Sequence, residues 1–470
     1  MNDTAATVTA ATDAADDHSL SRSLRPRHVT MITIGGIIGA GLFVGSSVAI
    51  AAAGPAILIS YALTGTLVLL IMRALGEMAV EMPQVRSFTE FARAGLGDWA
   101  GFSVGWLYWY FWIIVIPVEA IAGANILTHH YSSLNPLATG LGLMVVMTGV
   151  NLMPARAYGE FEFWFASIKV AAIVSFIVIG GAHAFGFHSA TGPTFAHLYS
   201  HGGFAPKGAF AVLAAVTTVI FSMMGAEVVT IAAAESEEPA KHVAKMTSMI
   251  MSRILIFYVG SIFVICSILP WTEVQPGHSP FTMALETLHI SLWGLGASDI
   301  MDFIILTAVL SCLNSSFYVA SRVLFVLAEK GDAPHALVKT TARHVPARSV
   351  LLASVAGFVG LIANYKLPAV VYAFLTNASG ALIVVIYAAI VVSQVVVRRR
   401  RARAGEPPPT LPMWLFPWLS YLALAGMLLV LVAMAITPSH FEEFWASMVS
   451  IALALIAYLV FRRGRGGAQP

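Results

Sequence analysis

The sequence predicts an all-α integral membrane protein with twelve transmembrane helices. Three observations carry that prediction. The 470 residues are 58% hydrophobic and 11% charged, with a mean hydropathy of +0.81, whereas soluble domains carry about 25% charged residues. Charge-free intervals near the roughly 20 residues needed for one crossing recur along the chain. Basic residues gather on alternate connections between those intervals. There is no Walker sequence, zinc-ligand spacing or nucleic-acid motif, so no ATP-driven pumping, metal site, cofactor or nucleic-acid partner is expected. Cys266 and Cys312 both fall in apolar intervals, which argues against a disulfide framework.

Taken in order, residues 1–27 form a polar tail rich in Ala, Thr and Asp, expected to be disordered. No cleavable signal follows it; the first span itself serves as the targeting signal. Residues 28–72 contain no Asp, Glu, Lys or Arg, and these 45 residues split at Gly54-Pro55 into spans one and two. A connection over 73–98 holds Arg73, Glu77, Glu81, Arg86, Glu90, Arg93 and Asp98. Spans three, four and five are expected at 99–127, 136–153 and 158–181, then spans six and seven at 208–233 and 247–269. Residues 281–292 read as an amphipathic stretch at the outer interface. Spans eight to twelve follow at 300–327, 349–364, 368–397, 411–436 and 444–461.

Twelve crossings put both termini on one side. The connections on that side, termini included, hold 23 of the 26 basic residues, while the opposite side holds Lys207 and Lys366. By the positive-inside rule both termini are cytoplasmic. The run 398–401 is an anchor for anionic lipid, so membrane lipid is an expected partner. Arg73 and Glu77, four residues apart, read as a structural ion pair, and Glu235, Glu237, Glu238 and Lys241 as a charged turn or inner gate. One basic residue is left over: Lys169, in the middle of span five.

Span one carries Gly35, Gly36, Gly39, Gly41 and Gly45. Each glycine weakens a helix by about 1 kcal/mol relative to alanine, so the cluster invites a break at mid-membrane. Lipid cannot satisfy the freed backbone groups. A half-helix starting near Gly41 would offer free amides and a positive dipole end to a carboxylate. Close packing of small residues against a neighbouring helix is the alternative. Span six has its own weak point at Gly225, beside Ser222 and Glu227. Spans one to five and six to ten can be overlaid as halves of opposite topology whose first members are the two interrupted spans. That pattern points to an inverted repeat with its site at the repeat interface. The expected division is a first five-helix repeat over 28–185, a second over 206–397, helices eleven and twelve over 411–462, and a cytoplasmic tail over 463–470.

Gly35-Gly-Ile-Ile-Gly-Ala-Gly-Leu-Phe43, Gly159-Glu-Phe-Glu-Phe-Trp-Phe-Ala-Ser-Ile-Lys169 and Phe221–Glu227 with Ala233-Ala-Glu-Ser-Glu-Glu-Pro239 resemble the amino-acid/polyamine/organocation (APC) superfamily, in its bacterial amino-acid permease branch. Four further stretches bring the chain nearest to the 4-aminobutyrate (GABA) permeases: Gly105-Trp-Leu-Tyr-Trp-Tyr-Phe-Trp112 with Ile116-Pro-Val-Glu119, Gly225–Ser236, Ser311-Cys-Leu-Asn-Ser-Ser-Phe-Tyr318 and Met413-Trp-Leu-Phe-Pro-Trp418. The resemblance covers residues 24–462. It implies a LeuT-like fold in the bacterial cytoplasmic (inner) membrane, a small zwitterionic amino acid as solute, and H+ rather than sodium as the coupling ion.

The candidate solute site is built from Gly35, Gly36, Ile38, Gly39, Ala40 and Gly41, with the carboxylate on the amides of Gly39, Ala40 and Gly41. The ammonium would meet carbonyls freed around Phe221, Ser222, Met223, Met224 and Gly225. Lys169 and Glu227 are the candidate proton-coupling groups. An ammonium at mid-bilayer costs several kcal/mol unless paired or neutralised, so Lys169 is a coupling residue, a fixed cation, or a snorkelling or salt-bridged structural lysine. In proton-coupled members of the family a lysine at this place fills the space of a bound sodium. Glu227 either takes a proton, pairs with Lys169, or holds the break by accepting amide bonds. Glu119 follows Pro117, which frees a carbonyl; it attracts the ammonium, joins proton transfer, or sits in an outer vestibule. Asn314, Ser315 and Ser316 are polar at mid-membrane, available to solute or helix partners. Phe221 is a candidate gate, and the aromatic set from Trp106 to Trp112 is a cavity wall or core packing.

The expected function is proton-coupled import of GABA or a close amino acid by alternating access. The alternatives are a permease for an aromatic, basic or small neutral α-amino acid and a non-transporting amino-acid sensor. GABA separates its charges by three methylenes, which demands acceptors further from the span-one amides. The sequence assigns no oligomeric state and no role to helices eleven and twelve.

Overall fold

The computed structural model describes residues 24–85, 87–187, 192–234, 255–289, 291–292, 295–367 and 380–466. Arg86, the charged turn containing Glu235, Glu237, Glu238 and Lys241, the start of span seven and the start of span ten lie outside them. Eight helices among the described residues are long and apolar enough to cross a membrane. Three shorter apolar helices accompany them, Pro136–Asn151, Gly208–Ser222 and Leu255–Ile268.

The first expected span comes as three pieces, α1 (Pro26–Ile37), α2 (Ala40–Phe43) and α3 (Gly45–Ala53). A turn at Gly54, where φ is +68°, leads through Pro55 into α4 (Ile57–Glu81). The connection after it contains a helix of its own, α5 (Phe88–Leu96). Its buried residues Phe88, Phe91, Ala92 and Gly95 stand at i, i+3, i+4 and i+7, one helical face. That face packs on α15 (Gly380–Arg403), where a Cβ at Gly95 would lie 2.5 Å from Ser393 Cα. Next come α6 (Asp98–His130), α7 (Pro136–Asn151), α8 (Ala155–Ala184) and α9 (Gly208–Ser222). The seven-residue α10 (Val228–Ala234) resumes the path of α9, and α11 (Leu255–Ile268) follows.

Only the first part of the expected amphipathic stretch 281–292 is helical. The helix α12 (Pro280–Thr287) is capped by Ser279, whose Oγ accepts from Thr282 N at 3.4 Å. Beyond it β1 (Ser291–Leu292) pairs antiparallel with β2 (Leu295–Gly296), Ser291 opposite Gly296. The chain ends in α13 (Ala297–Glu329), α14 (Ala347–Lys366), α15, α16 (Trp418–Ile436) and α17 (Phe441–Gly466). Burial ranks these helices. The most apolar window of α13 is 78% buried, that of α17 only 6%. Thus α13 is the central post, packed on α1, α6, α8 and α14, and α17 lies at the periphery on α6, α15 and α16 with most of its apolar window unburied.

At the end of α4, Arg73 and Glu77, the expected i,i+4 pair, also hold partners far away in the chain. Arg73 donates from Nη2 to Pro412 O at 2.7 Å. Glu77 accepts from Gln394 Nε2 at 2.9 Å, Arg398 Nη1 at 3.0 Å and Met413 N at 2.5 Å. These bonds fasten α4 to α15 and to the segment before α16.

Candidate functional site

The site begins where α1 stops. Ile38 leaves the helix with φ −86° and ψ 92°, and Gly39 is extended before α2 starts. The amides of Leu42, Phe43 and Val44 turn back onto Gly39 O and Ala40 O. Those of Gly39, Ala40 and Gly41 donate to no backbone carbonyl among the described residues. Three amides without a backbone acceptor therefore stand together at the start of the four-residue α2.

The other face of the break is filled by Lys169. Its Nζ donates to Gly35 O at 2.8 Å, Ile38 O at 2.7 Å and Ser311 Oγ at 2.9 Å. The ammonium has three donors and all three are used. It is fully buried, so the snorkelling alternative is absent: the side chain turns inward to the carbonyls of α1.

Span six breaks between α9 and α10. Gly225 has φ +102°, a left-handed conformation that side chains resist. Its Cα faces the first break: a Cβ there would lie 2.3 Å from Gly36 O. Likewise a Cβ at Gly41 would lie 2.8 Å from Ser222 Cα. The glycines therefore serve both readings at once, freeing backbone groups and letting two broken helices cross in contact. Tyr258 ties the crossing, its hydroxyl lying 2.9 Å from Ile37 O and 2.6 Å from Ser222 O.

Glu227 closes the second break. Its Oε1 accepts from Tyr108 Oη at 2.9 Å, and its Oε2 from Tyr387 Oη at 2.6 Å and Gly225 N at 3.2 Å. No bond joins it to Lys169.

A small cavity of about 40 Å³ lies between the two breaks. Gly36, Gly39, Gly41, Phe221, Ser222 and Met224 line it, with Glu119, Trp112 and Cys312 opposite. Glu119 Oε2 and Trp112 Nε1 are buried without a hydrogen-bond partner. Glu119 thus faces the site interior rather than an outer vestibule. Phe221 meets Phe111 edge-on at 6.1 Å between ring centroids.

Other expected residues point elsewhere. Gly35 and Ile38 give their carbonyls to Lys169. Asn314 and Ser315 do not line the cavity, and their side chains are bonded to neighbouring helices. Asn314 Oδ1 accepts from Asn151 Nδ2 at 2.8 Å, Asn314 Nδ2 donates to Glu162 Oε2 at 3.5 Å, and Ser315 Oγ lies 3.3 Å from Tyr158 Oη. Ser316 Oγ donates to Cys312 O within its own helix.

Glu162 is the residue that sequence reasoning passed over. It is fully buried and accepts a short bond from Ser311 Oγ. Its carboxylate lies where a Cβ on Gly35 would be, which explains that glycine. The available signal was spacing: seven residues separate Glu162 from Lys169, two turns on one face.

The sequence profile of the family described as Amino acid permease matches residues 28–464. The chain belongs to the amino acid permease family. This permease is 43% identical over 445 residues to the gamma-aminobutyric acid permease of Bacillus subtilis (strain 168), with 94% of each chain covered. It is 45% identical over 452 residues to a probable GABA permease of Pseudomonas aeruginosa, covering 95% of this chain and 94% of that one. A solved manganese transporter of Eremococcus coleocola matches the permease with a TM-score of 0.58 over 93% of both chains. At 12% identity that match speaks to fold alone. The permease is a multi-pass membrane transporter and not an enzyme.

Proposed function

We propose that the permease imports 4-aminobutyrate, or a close amino acid, together with a proton by alternating access. The solute follows from the relatives named for GABA at 43% and 45% identity. One observation supports the coupling: the Lys169 ammonium occupies the carbonyl end of the first break, where it serves as a built-in cation. The chain would sit in the bacterial inner membrane with both termini cytoplasmic, in twelve helices. Spans in 28–185 and 206–397 would form two five-helix inverted repeats, with 411–462 outside them. In support, the two interrupted helices are the first members of those halves.

The solute carboxylate docks on the amides of Gly39, Ala40 and Gly41. Its ammonium reaches Glu119 and carbonyls between Phe221 and Met224. A cavity of about 40 Å³ is far below the roughly 300–1,000 Å³ of small-molecule sites. Solute binding therefore needs a wider state, and Phe221 against Phe111 is the contact that opens. Alternation between wide and closed forms is what a gated central site requires.

The test is uptake of radiolabelled GABA into proteoliposomes with an inward proton gradient and no sodium. One unit of pH gradient supports up to about tenfold accumulation per proton. Wild type should accumulate GABA and Lys169→Ala should fall to background. Accumulation of an α-amino acid in place of GABA would sink the substrate reading and keep the mechanism. Proton-driven accumulation surviving in Lys169→Ala would remove the lysine from coupling.

A further inference from the structure

We propose that Glu162 is a proton relay, receiving the coupled proton from Lys169 through the Ser311 hydroxyl and passing it toward the end of α8 that begins at Ala155. The inference rests on the reading of Lys169 as the coupling residue. Three carboxylates are buried near the breaks, and their surroundings differ. Glu227 is occupied by two tyrosines and an amide, and Glu119 faces the solute cavity. Glu162 belongs to neither. It sits in a continuous buried chain: Lys169 Nζ to Ser311 Oγ at 2.9 Å, Ser311 Oγ to Glu162 Oε1, Asn314 Nδ2 to Glu162 Oε2, and Asn151 Nδ2 to Asn314 Oδ1.

A counter-ion that served only to neutralise Lys169 would do so best in direct contact, because a buried pair repays its desolvation only in good geometry. Here a hydroxyl stands between the two charges. A serine hydroxyl accepts and donates at once, which is what proton transfer needs. The chain also has a direction. Glu162 precedes Lys169 by seven residues, about 10 Å along the helix axis. Asn151 is the last residue of α7, and the turn after it holds the exposed Met153 before α8 and Arg156.

In the transfer, a Lys169 Nζ–H bond breaks and its proton joins Ser311 Oγ. The serine's own proton moves to Glu162 Oε1, and the hydroxyl is restored. An ammonium and a carboxylate become an amine and a carboxylic acid, so the summed charge is zero before and after. The acid then gives its proton to water entering from the Arg156 side, and Lys169 is re-protonated from the solute side. Asn314 and Asn151 position Glu162 and carry no proton. The other titratable groups around this path are Cys312 and Glu119 on the solute side of Lys169, Tyr158 one turn before Glu162 and stacked on Tyr318, and Arg27, His28 and Glu160 near the start of α8, with His28 and Glu160 3.1 Å apart.

The experiment uses the full-length permease in proteoliposomes and compares three readouts. These are GABA accumulation under a proton gradient, GABA counterflow without a gradient, and solute-linked internal acidification followed by a pH dye. For Glu162→Gln, the initial rates of proton-driven GABA uptake and of acidification should fall by about 100-fold, the scale of lost acid–base transfer, while counterflow persists. Glu162→Asp should restore part of the accumulation. Proton-driven accumulation intact in Glu162→Gln overturns the relay. Equal loss of accumulation and counterflow overturns it too, in favour of a purely structural acid. If Glu162→Gln does not reach the membrane, Ser311→Ala decides: accumulation lost with counterflow kept supports the relay, and both kept overturns it. Absence of proton-driven accumulation in wild type sinks the coupling reading itself, and the relay with it.

Discussion

The two helix breaks look alike in sequence and are finished differently in structure. At the span-six break the protein ties down the α10 side itself: Glu227 takes the Gly225 amide and two tyrosine hydroxyls, and only the α9 side, at Phe221–Met224, faces the cavity. At the span-one break only one side is finished. Lys169 takes the carbonyls of Gly35 and Ile38, while the amides of Gly39, Ala40 and Gly41 donate to no backbone carbonyl among the described residues. One break is therefore a brace and the other a socket. A broken helix in a membrane is thus no site by itself; the unspent backbone groups decide which end can receive a ligand.

The comparison breaks most severely at the crossing point, where two glycines make opposite demands. Gly225→Ala puts a Cβ 2.3 Å from Gly36 O at a φ of +102°, and should cost about 3 kcal/mol or more. Gly36→Ala meets its nearest atoms at 3.7 Å, an ordinary contact. Thermal unfolding in detergent should show a fall of about 3 °C for the first variant, at about 1 kcal/mol per degree for a chain of this length, and almost none for the second. Similar falls in both would mean that the breaks are not locked together as described.

Much of this arrangement is legible in the residues, for physical reasons that also set the limit. Glycine clusters announce breaks because composition alone weakens a helix, and Lys169 stands out as a lone charge in an apolar span. The nine-residue α5 is hidden because Glu90 and Arg93 interleave with its apolar face and make 73–98 read as a plain connection. Asn314 and Ser315 have the residue types of a solute site, yet type says nothing about which way a helix is rotated. The partners of Glu227 lie 119 and 160 residues away in the chain, a distance over which no local pattern reports. Glu162 had its seven-residue spacing to Lys169, but it lies near the expected end of span five, where a carboxylate looks solvated.

The comparison sharpens on two carboxylates, one at the socket and one at the brace. Glu119→Gln removes a charge from the cavity wall, where Oε2 has no partner. Losing a charge-assisted bond to the solute ammonium costs about 1.5–3 kcal/mol, so KM for GABA should rise by about 10- to 100-fold, with thermal stability nearly unchanged. A KM equal to wild type would remove Glu119 from the solute site.

Glu227→Gln should behave in the opposite way and with a smaller effect on transport. The amide keeps one acceptor and presents a donor where two tyrosine hydroxyls and a backbone amide now converge. One of those donors loses its acceptor, at about 1–3 kcal/mol, which thermal unfolding would register as a drop of about 1–3 °C. Because Glu227 does not line the cavity, KM for GABA should stay within about twofold, a difference under 0.5 kcal/mol. Loss of proton-driven accumulation with unfolding temperature intact would reverse the assignment, making Glu227 a coupling group and the second break more than a brace.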